Sequence, residues 1–148
     1  MKEVSSKIRH WCARGERSPA QALRKLKDWG AGEQAEAEVA ALEREGYVDA
    51  ERFAQAFTAD HIRLKNWGPA KVTAALRQTH RIDDVFVRSA IEALGEQEIQ
   101  AAADRAASNW KRLHPAGEED KGLMHLLRKG FSFDSAKRAM QAVGADYL

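Results

Sequence analysis

The stretch ALEREG at residues 41–46 returns as AIEALG at 90–95 and as AMQAVG at 139–144, so that three glycine-ended segments lie 49 residues apart. Other positions keep nearly the same step: Ser18-Pro19 and Gly68-Pro69; Leu26, Leu76 and Leu127; Trp11, Ile62 and Leu113. A fixed period of this length indicates tandem structural repeats.

Within each period, apolar residues recur every three or four positions, which predicts helices, and no alternating stretch predicts a strand. The predicted apolar faces include Ile8, Trp11 and Cys12; Phe53, Phe57 and Leu64; and Trp110 and Leu113. Ser18, followed by Pro19 and then Gln21, predicts a capping box at a helix start. Asp49 is a second predicted N-cap. The sequence therefore predicts an all-α fold of three tandem three-helix repeats of about 50 residues in an elongated, curved array. We call residues 1–47 unit 1, residues 48–95 unit 2 and residues 96–148 unit 3.

Composition agrees with helices, since the 148 residues include only 10 Gly and 3 Pro. No apolar run approaches the length of about 20 residues that spans a bilayer. No apolar segment follows Lys2, and the single Cys12 cannot form an internal disulfide. These features predict no membrane span and no secretory signal, and hence a cytoplasmic protein.

Charge alternates along the chain: residues 1–30 carry a net charge of +5, residues 31–60 carry −6, and residues 61–81 carry +5 without any acid. A basic stripe attracts a phosphate backbone or an acidic protein groove. For any single side chain, an ordinary solvated helix face remains the alternative. The candidate contact residues for protein or DNA are Arg24, Lys25, Lys27, Arg63, Lys65, Lys71, Arg77, Arg81, Lys111, Arg112, Arg128 and Lys129.

Residues for catalysis are not arranged in any known pattern. The five His residues show no helical pairing, the glycines form no phosphate loop, and the acidic pairs stand at predicted helix starts, where they complement the helix dipole. The sequence thus predicts no enzyme, no cofactor and no metal site. Trp29 and Trp67, at predicted breaks between helices, either stack on bases or fill gaps between helices.

Three regions of the chain, at its start, its centre and its end, carry a resemblance to a known family. GYVDAERFA at 46–54, Arg63 and WGPAKV at 67–72 with Ala75-Leu76-Arg77 resemble the central signature of the RecX regulatory proteins. LLRKGFS at 126–132 and CARGERS at 12–18 with LRKL at 23–26 are similar to its other repeats. The resemblance implies structural roles for these signature residues: Tyr47, Asp49, Arg52, Phe53, Gly68, Pro69, Leu76, Gly130 and Phe131.

Two positions depart from the family pattern. Ala50 stands where a second acid is usual, and His80-Arg81-Ile82 stands where the family has Lys-Gly-Ile. Because glycine supplies a left-handed helix stop at little cost, its replacement leads us to expect a different local turn there.

The resemblance implies a modulator of the RecA recombinase in DNA repair, recombination and the SOS response. RecX proteins lodge in the groove of the RecA–single-stranded-DNA filament, limit its growth, and suppress its ATPase and strand exchange. The implied partners are the RecA filament and, weakly and without sequence preference, single- and double-stranded DNA. We expect a monomer.

Two other hypotheses remain open. Three-helix units also serve as DNA readers, so the chain could be a sequence-independent DNA-binding protein that acts without RecA. It could also be a structural adaptor that binds helical proteins and no DNA.

Overall fold

The structure is a computed structural model that describes residues 1–146, and it contains helices and no strand within that range. The predicted all-helical fold is confirmed. The α-helices of these residues are α1 (Lys2–Ala13), α2 (Pro19–Asp28), α3 (Ala35–Arg44), α4 (Ala50–Lys65), α5 (Pro69–Ala74), α6 (Asp84–Leu94), α7 (Glu96–Leu113), α8 (Glu119–Arg128) and α9 (Phe133–Asp146). A short 3-10 helix (Gly32–Gln34) precedes α3, and a π-helical segment (Ala75–Thr79) extends α5. The boundaries of the three units stay a prediction.

The helix starts follow the predicted capping residues. The Ser18 hydroxyl accepts a hydrogen bond from the backbone N–H of Gln21, and the Gln21 side chain accepts one from the Ser18 N–H, so the capping box forms with Pro19 at the first position. The Asp49 carboxylate accepts the Arg52 N–H at 2.8 Å and starts α4. Each cap satisfies backbone donors that a helix start leaves without a partner.

The second helix of each unit ends in a similar way. The N–H of the second residue after the cap donates to a leucine carbonyl: Ala31 to Leu26 at 2.9 Å, Ile82 to Leu76 at 3.0 Å and Phe131 to Leu126 at 3.2 Å. In units 1 and 3 this is the long bond of a Schellman cap, which spans five positions and requires a left-handed residue in between. In unit 2 the bond spans six positions, because the π-helical segment adds one residue to the turn. The structural equivalent of Leu26 in unit 3 is therefore Leu126, which is fully buried, and not Leu127 as the sequence spacing suggested.

Arg81 corrects part of one expectation from the sequence. We expected the absence of glycine to change the turn, but Arg81 itself takes the left-handed conformation, with φ 53°. Gly30 and Gly130 occupy the corresponding position in the other two caps, with φ 84° and 101°. The left-handed cap position is thus kept, although the π-helical segment lengthens this turn by one residue. Arg81 adopts there a backbone conformation that costs L-residues about 1–2 kcal/mol.

Two separate groups of buried residues form the core. One lies within residues 8–48 and centres on Ile8, Leu26 and Leu42. The other is continuous through α4–α9 and includes Ile62, Leu76, Val87, Trp110, Leu126 and Met140. Units 2 and 3 therefore share one core, whereas unit 1 has its own. Two residues that periodicity placed on apolar faces are exposed instead: Leu64 at 77% and Leu113 at 70%.

An ion-pair network fastens α1 to α3 beside the smaller core. Arg9 donates to Glu38 and, at 2.5 Å, to Glu45, while the Ser5 hydroxyl donates to Glu38 at 2.6 Å. The hydrogen bonds from Ser5 and Arg9 lower the pKa of Glu38. The Arg9 side chain is therefore engaged within unit 1, and a partner would have to compete with two carboxylates for it.

Candidate nucleic-acid and protein interface at the unit junctions

The loop before α5 packs directly on the turn after α8, which joins unit 2 to unit 3. The N–H of Gly68 donates to the Lys129 carbonyl at 2.7 Å, and the N–H of Ala70 donates to the Gly130 carbonyl at 3.0 Å. A Cβ on Gly68 would lie 2.2 Å from the Gly130 carbonyl carbon. Gly68 is therefore required for close approach of two backbones, in addition to preceding a turn.

The equivalent loop of unit 1 packs on the equivalent turn of unit 2. Ser18, 50 residues before Gly68, pairs its hydroxyl oxygen with His80 Nδ1 at 2.9 Å, and both side chains are buried. Burial, and secondarily the charge of His61, lowers the pKa of His80. Nearby, Arg52 Nε donates to Glu16 at 2.8 Å. This junction is held by side chains, whereas the second junction is held by backbone hydrogen bonds.

Four of the predicted contact residues come together at the first junction. A groove of about 1020 Å³ runs between α2 and the turn at residues 79–81, and its lining includes Arg24, Lys25, Lys27 and Arg81. Asp28 is the single acid of that lining. We call these four side chains the first basic cluster. Such a concentration of cations attracts a polyanion through counterion release.

A second basic cluster, Lys65, Lys71 and Lys129, surrounds the second junction. The Lys129 ammonium donates to the Lys65 carbonyl at 3.3 Å, and the Lys71 ammonium lies 4.3 Å from the Trp67 ring centre. Burial and the charge of Lys71 both lower the pKa of Lys129. Crowding of like charges at this point indicates a site that an anion would stabilise.

The other predicted contact residues lie in different surroundings. Arg63 forms a two-pronged ion pair with Glu98, at 2.8 Å for its closest contact, and Arg77 pairs with Asp84. The Lys111 ammonium donates to the Gly117 carbonyl at 3.3 Å. Arg112 and Arg128 are exposed. A partner must therefore compete with a carboxylate for Arg63 and Arg77, whereas no ion pair within residues 1–146 occupies the side chains of the two clusters.

The tryptophans at the helix breaks are partly covered by cations of the chain itself. The Lys7 ammonium lies 4.2 Å from the Trp29 ring centre, and Trp67 packs against His61 at 4.6 Å as well as under Lys71. These contacts favour the packing role over base stacking. Trp11, which sequence analysis placed only in the core, lines the groove with Arg17 at 4.2 Å from its ring.

The signature residues divide between core, caps and junctions. Phe53, Leu76 and Phe131 are buried. Tyr47 lies at the surface beneath Arg9, and Pro69 occupies the first position of α5 beside Gly68. Asp49 caps α4, and the Arg52 guanidinium bonds Glu16 and the Gly46 carbonyl.

Three residues with clear roles were missed in the sequence. Ser18 was identified only as a cap, and His80 only as part of a departure from the family pattern, because their contact spans 62 positions. Arg105 Nε donates to Asn66 Oδ1 at 2.8 Å, and its other end reaches the Ile62 carbonyl, which closes the end of α4. No local pattern marks a contact of this kind.

Among residues 1–146, no helix is long and apolar enough to cross a membrane. The same part of the chain contains no group of His, Cys, Asp and Glu side chains that could hold a metal ion.

Comparison with known proteins gives a consistent result. Residues 49–91 match the second three-helix domain of RecX. The chain is 25% identical over 134 residues to the regulatory protein RecX of Leuconostoc citreum, covering 88% of this chain and 50% of that protein. It is 29% identical over 99 residues to the regulatory protein RecX of Bacillus licheniformis, covering 64% of this chain and 37% of that protein. The chain thus spans half or less of these relatives.

Solved structures share the fold. The crystal structure of RecX from Lactobacillus salivarius superimposes with a TM-score of 0.78 at 17% identity, over 100% of both chains. A further crystal structure of a regulatory protein RecX gives a TM-score of 0.84 at 19% identity, over 95% of this chain and 72% of that one. The resemblance predicted from the sequence is confirmed.

Proposed function

We propose that this chain, which has the fold and the second three-helix domain of the RecX regulatory proteins, is a non-enzymatic regulator of the RecA recombinase. It binds in the groove of the RecA–single-stranded-DNA filament and inhibits RecA ATPase, filament growth and strand exchange. The observation that carries the proposal is the match of residues 49–91 to RecX on a backbone of RecX type. The relatives named above are regulatory proteins, which supports regulation rather than catalysis.

The two basic clusters supply a surface suited to this role. They lie at successive unit junctions, where equivalent loops such as those of Ser18 and Gly68 meet equivalent turns. A chain with two equivalent contact regions can bind at two places along a polymer, and each bound cation adds to affinity by releasing counterions. Occupation of the filament groove then excludes incoming duplex DNA.

The decisive measurement is the single-stranded-DNA-dependent ATPase of RecA with substoichiometric amounts of this protein. We expect each molecule of this protein to inhibit more than one RecA subunit, because one molecule at a growing filament end or in the groove affects many RecA subunits. If the ATPase is unchanged at a several-fold molar excess, the chain is not a RecA inhibitor.

A charge-reversal pair tests the surface. Lys65→Glu with Lys71→Glu removes two cations of the second cluster, and we expect weaker inhibition. Arg44→Glu with Lys121→Glu reverses two exposed cations outside both clusters and serves as the matched control. Helical circular dichroism must be equal for both. Equal inhibition by both double variants would show that the second cluster does not contact the filament.

DNA binding without RecA is the second candidate function, and the first basic cluster is the observation that favours it. It predicts binding to random single strands or duplexes with a steep salt dependence and no effect on RecA. The ATPase measurement separates the two functions.

A further inference from the structure

Stability alone does not explain why an arginine, Arg81, occupies the left-handed position of its helix cap. Its φ of 53° lies in the left-handed region, where the equivalent caps use Gly30 and Gly130. Residues with side chains in such strained conformations cluster at ligand-binding and active sites, which directs attention to the Arg81 side chain. Arg81 is exposed, and its guanidinium forms none of the ion pairs or hydrogen bonds found within residues 1–146, whereas the nearby Arg77 pairs with Asp84.

Arg81 stands between two clefts of opposite charge. On one side lies the groove with Arg24 and Lys27. On the other side, a cleft of about 390 Å³ between α2 and α3 carries Glu36 and Glu43. Both clefts include Arg81 and His80 in their lining. An acidic wall repels a polyanion, so only the basic side offers such a ligand a continuous path.

We propose that Arg81 anchors the sugar–phosphate backbone of a nucleic-acid strand in the groove of the first basic cluster. The assignment rests on the proposed function, since the strand is the DNA that the RecA filament holds. A guanidinium bonds a phosphate through two parallel N–H donors, which glycine cannot supply and lysine supplies only as a point charge. Arg24 and Lys27 along the same groove contact neighbouring phosphates.

The test exploits the opposing demands of stability and binding at this position. Arg81→Gly relieves the left-handed backbone, so we expect its melting temperature to rise by about 2–4 °C. Its affinity for a fluorescein-labelled oligothymidylate, measured by anisotropy without RecA, falls about tenfold, and the slope of log affinity against log salt decreases by about 0.7. Arg44→Gln, which removes an exposed cation of α3, leaves affinity and slope unchanged.

Two further arms identify the ligand. Arg81→Lys retains a larger part of the affinity than Arg81→Gly, because a point charge still reaches phosphate. A random duplex competes with the oligothymidylate if the groove accepts either form of DNA backbone, whereas a single-strand requirement leaves the duplex a poor competitor.

The proposal is overturned if Arg81→Gly binds the oligothymidylate as tightly as the unaltered protein does. It is also overturned if polyglutamate displaces the oligothymidylate from the unaltered protein more effectively than DNA of equal charge, since the groove would then accept an acidic protein segment. These outcomes are distinct from failure of the proposed function. If the Arg81→Gly variant binds DNA as tightly as the unaltered protein and still inhibits RecA, the anchor is rejected and the proposed function is retained. If Arg81→Gly weakens DNA binding and the unaltered protein has no effect on RecA, the anchor is retained and the proposed function is rejected.

Discussion

His80 connects the first two units through a side chain that changes charge near neutral pH. Its Nδ1 lies 2.9 Å from the Ser18 hydroxyl, and its ring centre lies 4.6 Å from that of Phe53. Protonation would place a positive charge among aromatic rings and beside the N-terminus of α2, where Ser18 is the cap. Burial accordingly lowers its pKa below the ordinary value of 6.5.

This shift predicts a loss of stability in mild acid. Between the folded and unfolded pKa values the unfolded chain binds more protons, so the free energy of unfolding decreases as the pH falls below about 6.5, by at most about 1.4 kcal/mol per pH unit for one group. We expect urea unfolding of the His80→Gln variant to change less between about pH 7.5 and pH 5.5 than that of the unaltered protein.

A second histidine provides the necessary comparison. The pKa of His125 is also lowered, by burial and by Lys129 and Arg128, so His125→Gln measures its separate share. The pKa values of Glu38 and Glu45 are lowered below the ordinary 4.5, so these carboxylates do not contribute between about pH 7.5 and pH 5.5. If His80→Gln keeps the full pH dependence, the junction does not disfavour protonation of His80.

At the scale of elements, the backbone contact between the loop before α5 and the turn after α8 holds units 2 and 3 in place. Gly68 has an ordinary φ of −91°, so its lack of a side chain is explained by the close backbone of Gly130 and Phe131. Gly130 meets Lys71 from the other side, with its own Cβ position 2.5 Å from the Lys71 nitrogen. The two glycines therefore form one contact.

Gly68→Ala tests this contact. The added methyl group would force the two backbones apart, and overpacking of this kind destabilises a fold by about 1–3 kcal/mol. We expect the urea midpoint to fall accordingly. Gly15→Ala is the control, because Gly15 has no atom within 4 Å of its Cβ position. A similar loss from both substitutions would assign the effect to backbone flexibility and not to the junction.

The same element shows what a sequence can and cannot predict. Ser18 and Asp49 were identified as caps because a cap involves residues two or three positions apart. The Gly68–Gly130 contact joins segments 62 positions apart, and neither glycine indicates its partner. Helical periodicity identified apolar positions but not burial, and it therefore placed Leu64 and Leu113 on apolar faces although both are exposed.

The candidate site was predictable to a similar extent. Local charge identified the basic residues of α2 and of residues 61–81, which form most of the two clusters. It could not show that Arg63 and Arg77 pair with carboxylates, since Glu98 lies 35 positions from Arg63 on another helix. Nor could it show that Arg81 keeps the left-handed turn, because that conformation is imposed by the cap around it.

At the scale of the whole molecule, the separation of the two cores divides the chain unequally. Unit 1 buries its residues within about 50 positions, a length at which a core gives little stability by itself. Units 2 and 3 share a continuous core through Trp110 and Leu126. The contacts that link the two parts include the polar junction of Ser18 and His80, the Glu16–Arg52 ion pair, the Arg52 hydrogen bond to the Gly46 carbonyl and the short connection after Val48.

Matched core substitutions test this division. Leu26→Ala and Leu76→Ala each remove a fully buried leucine, one from each core. Each costs about 2–5 kcal/mol in a well-packed core. Hydrogen exchange followed by mass spectrometry reports the effect segment by segment. We expect Leu26→Ala to accelerate exchange in α1–α3 by about 30-fold or more while α7–α9 stay protected.

Leu76→Ala should behave differently, because its core continues from α4 to α9. We expect faster exchange in both unit 2 and unit 3, with the helices around Trp110 and Met140 affected along with those around Leu76. If Leu26→Ala loosens α7–α9 as much as α1–α3, the chain unfolds as one cooperative body, and the junction at His80 transmits as much stability as a shared core. If it does not, unit 1 can open while the second basic cluster stays folded, so the groove at Arg81 is the part of the surface that local unfolding reaches first.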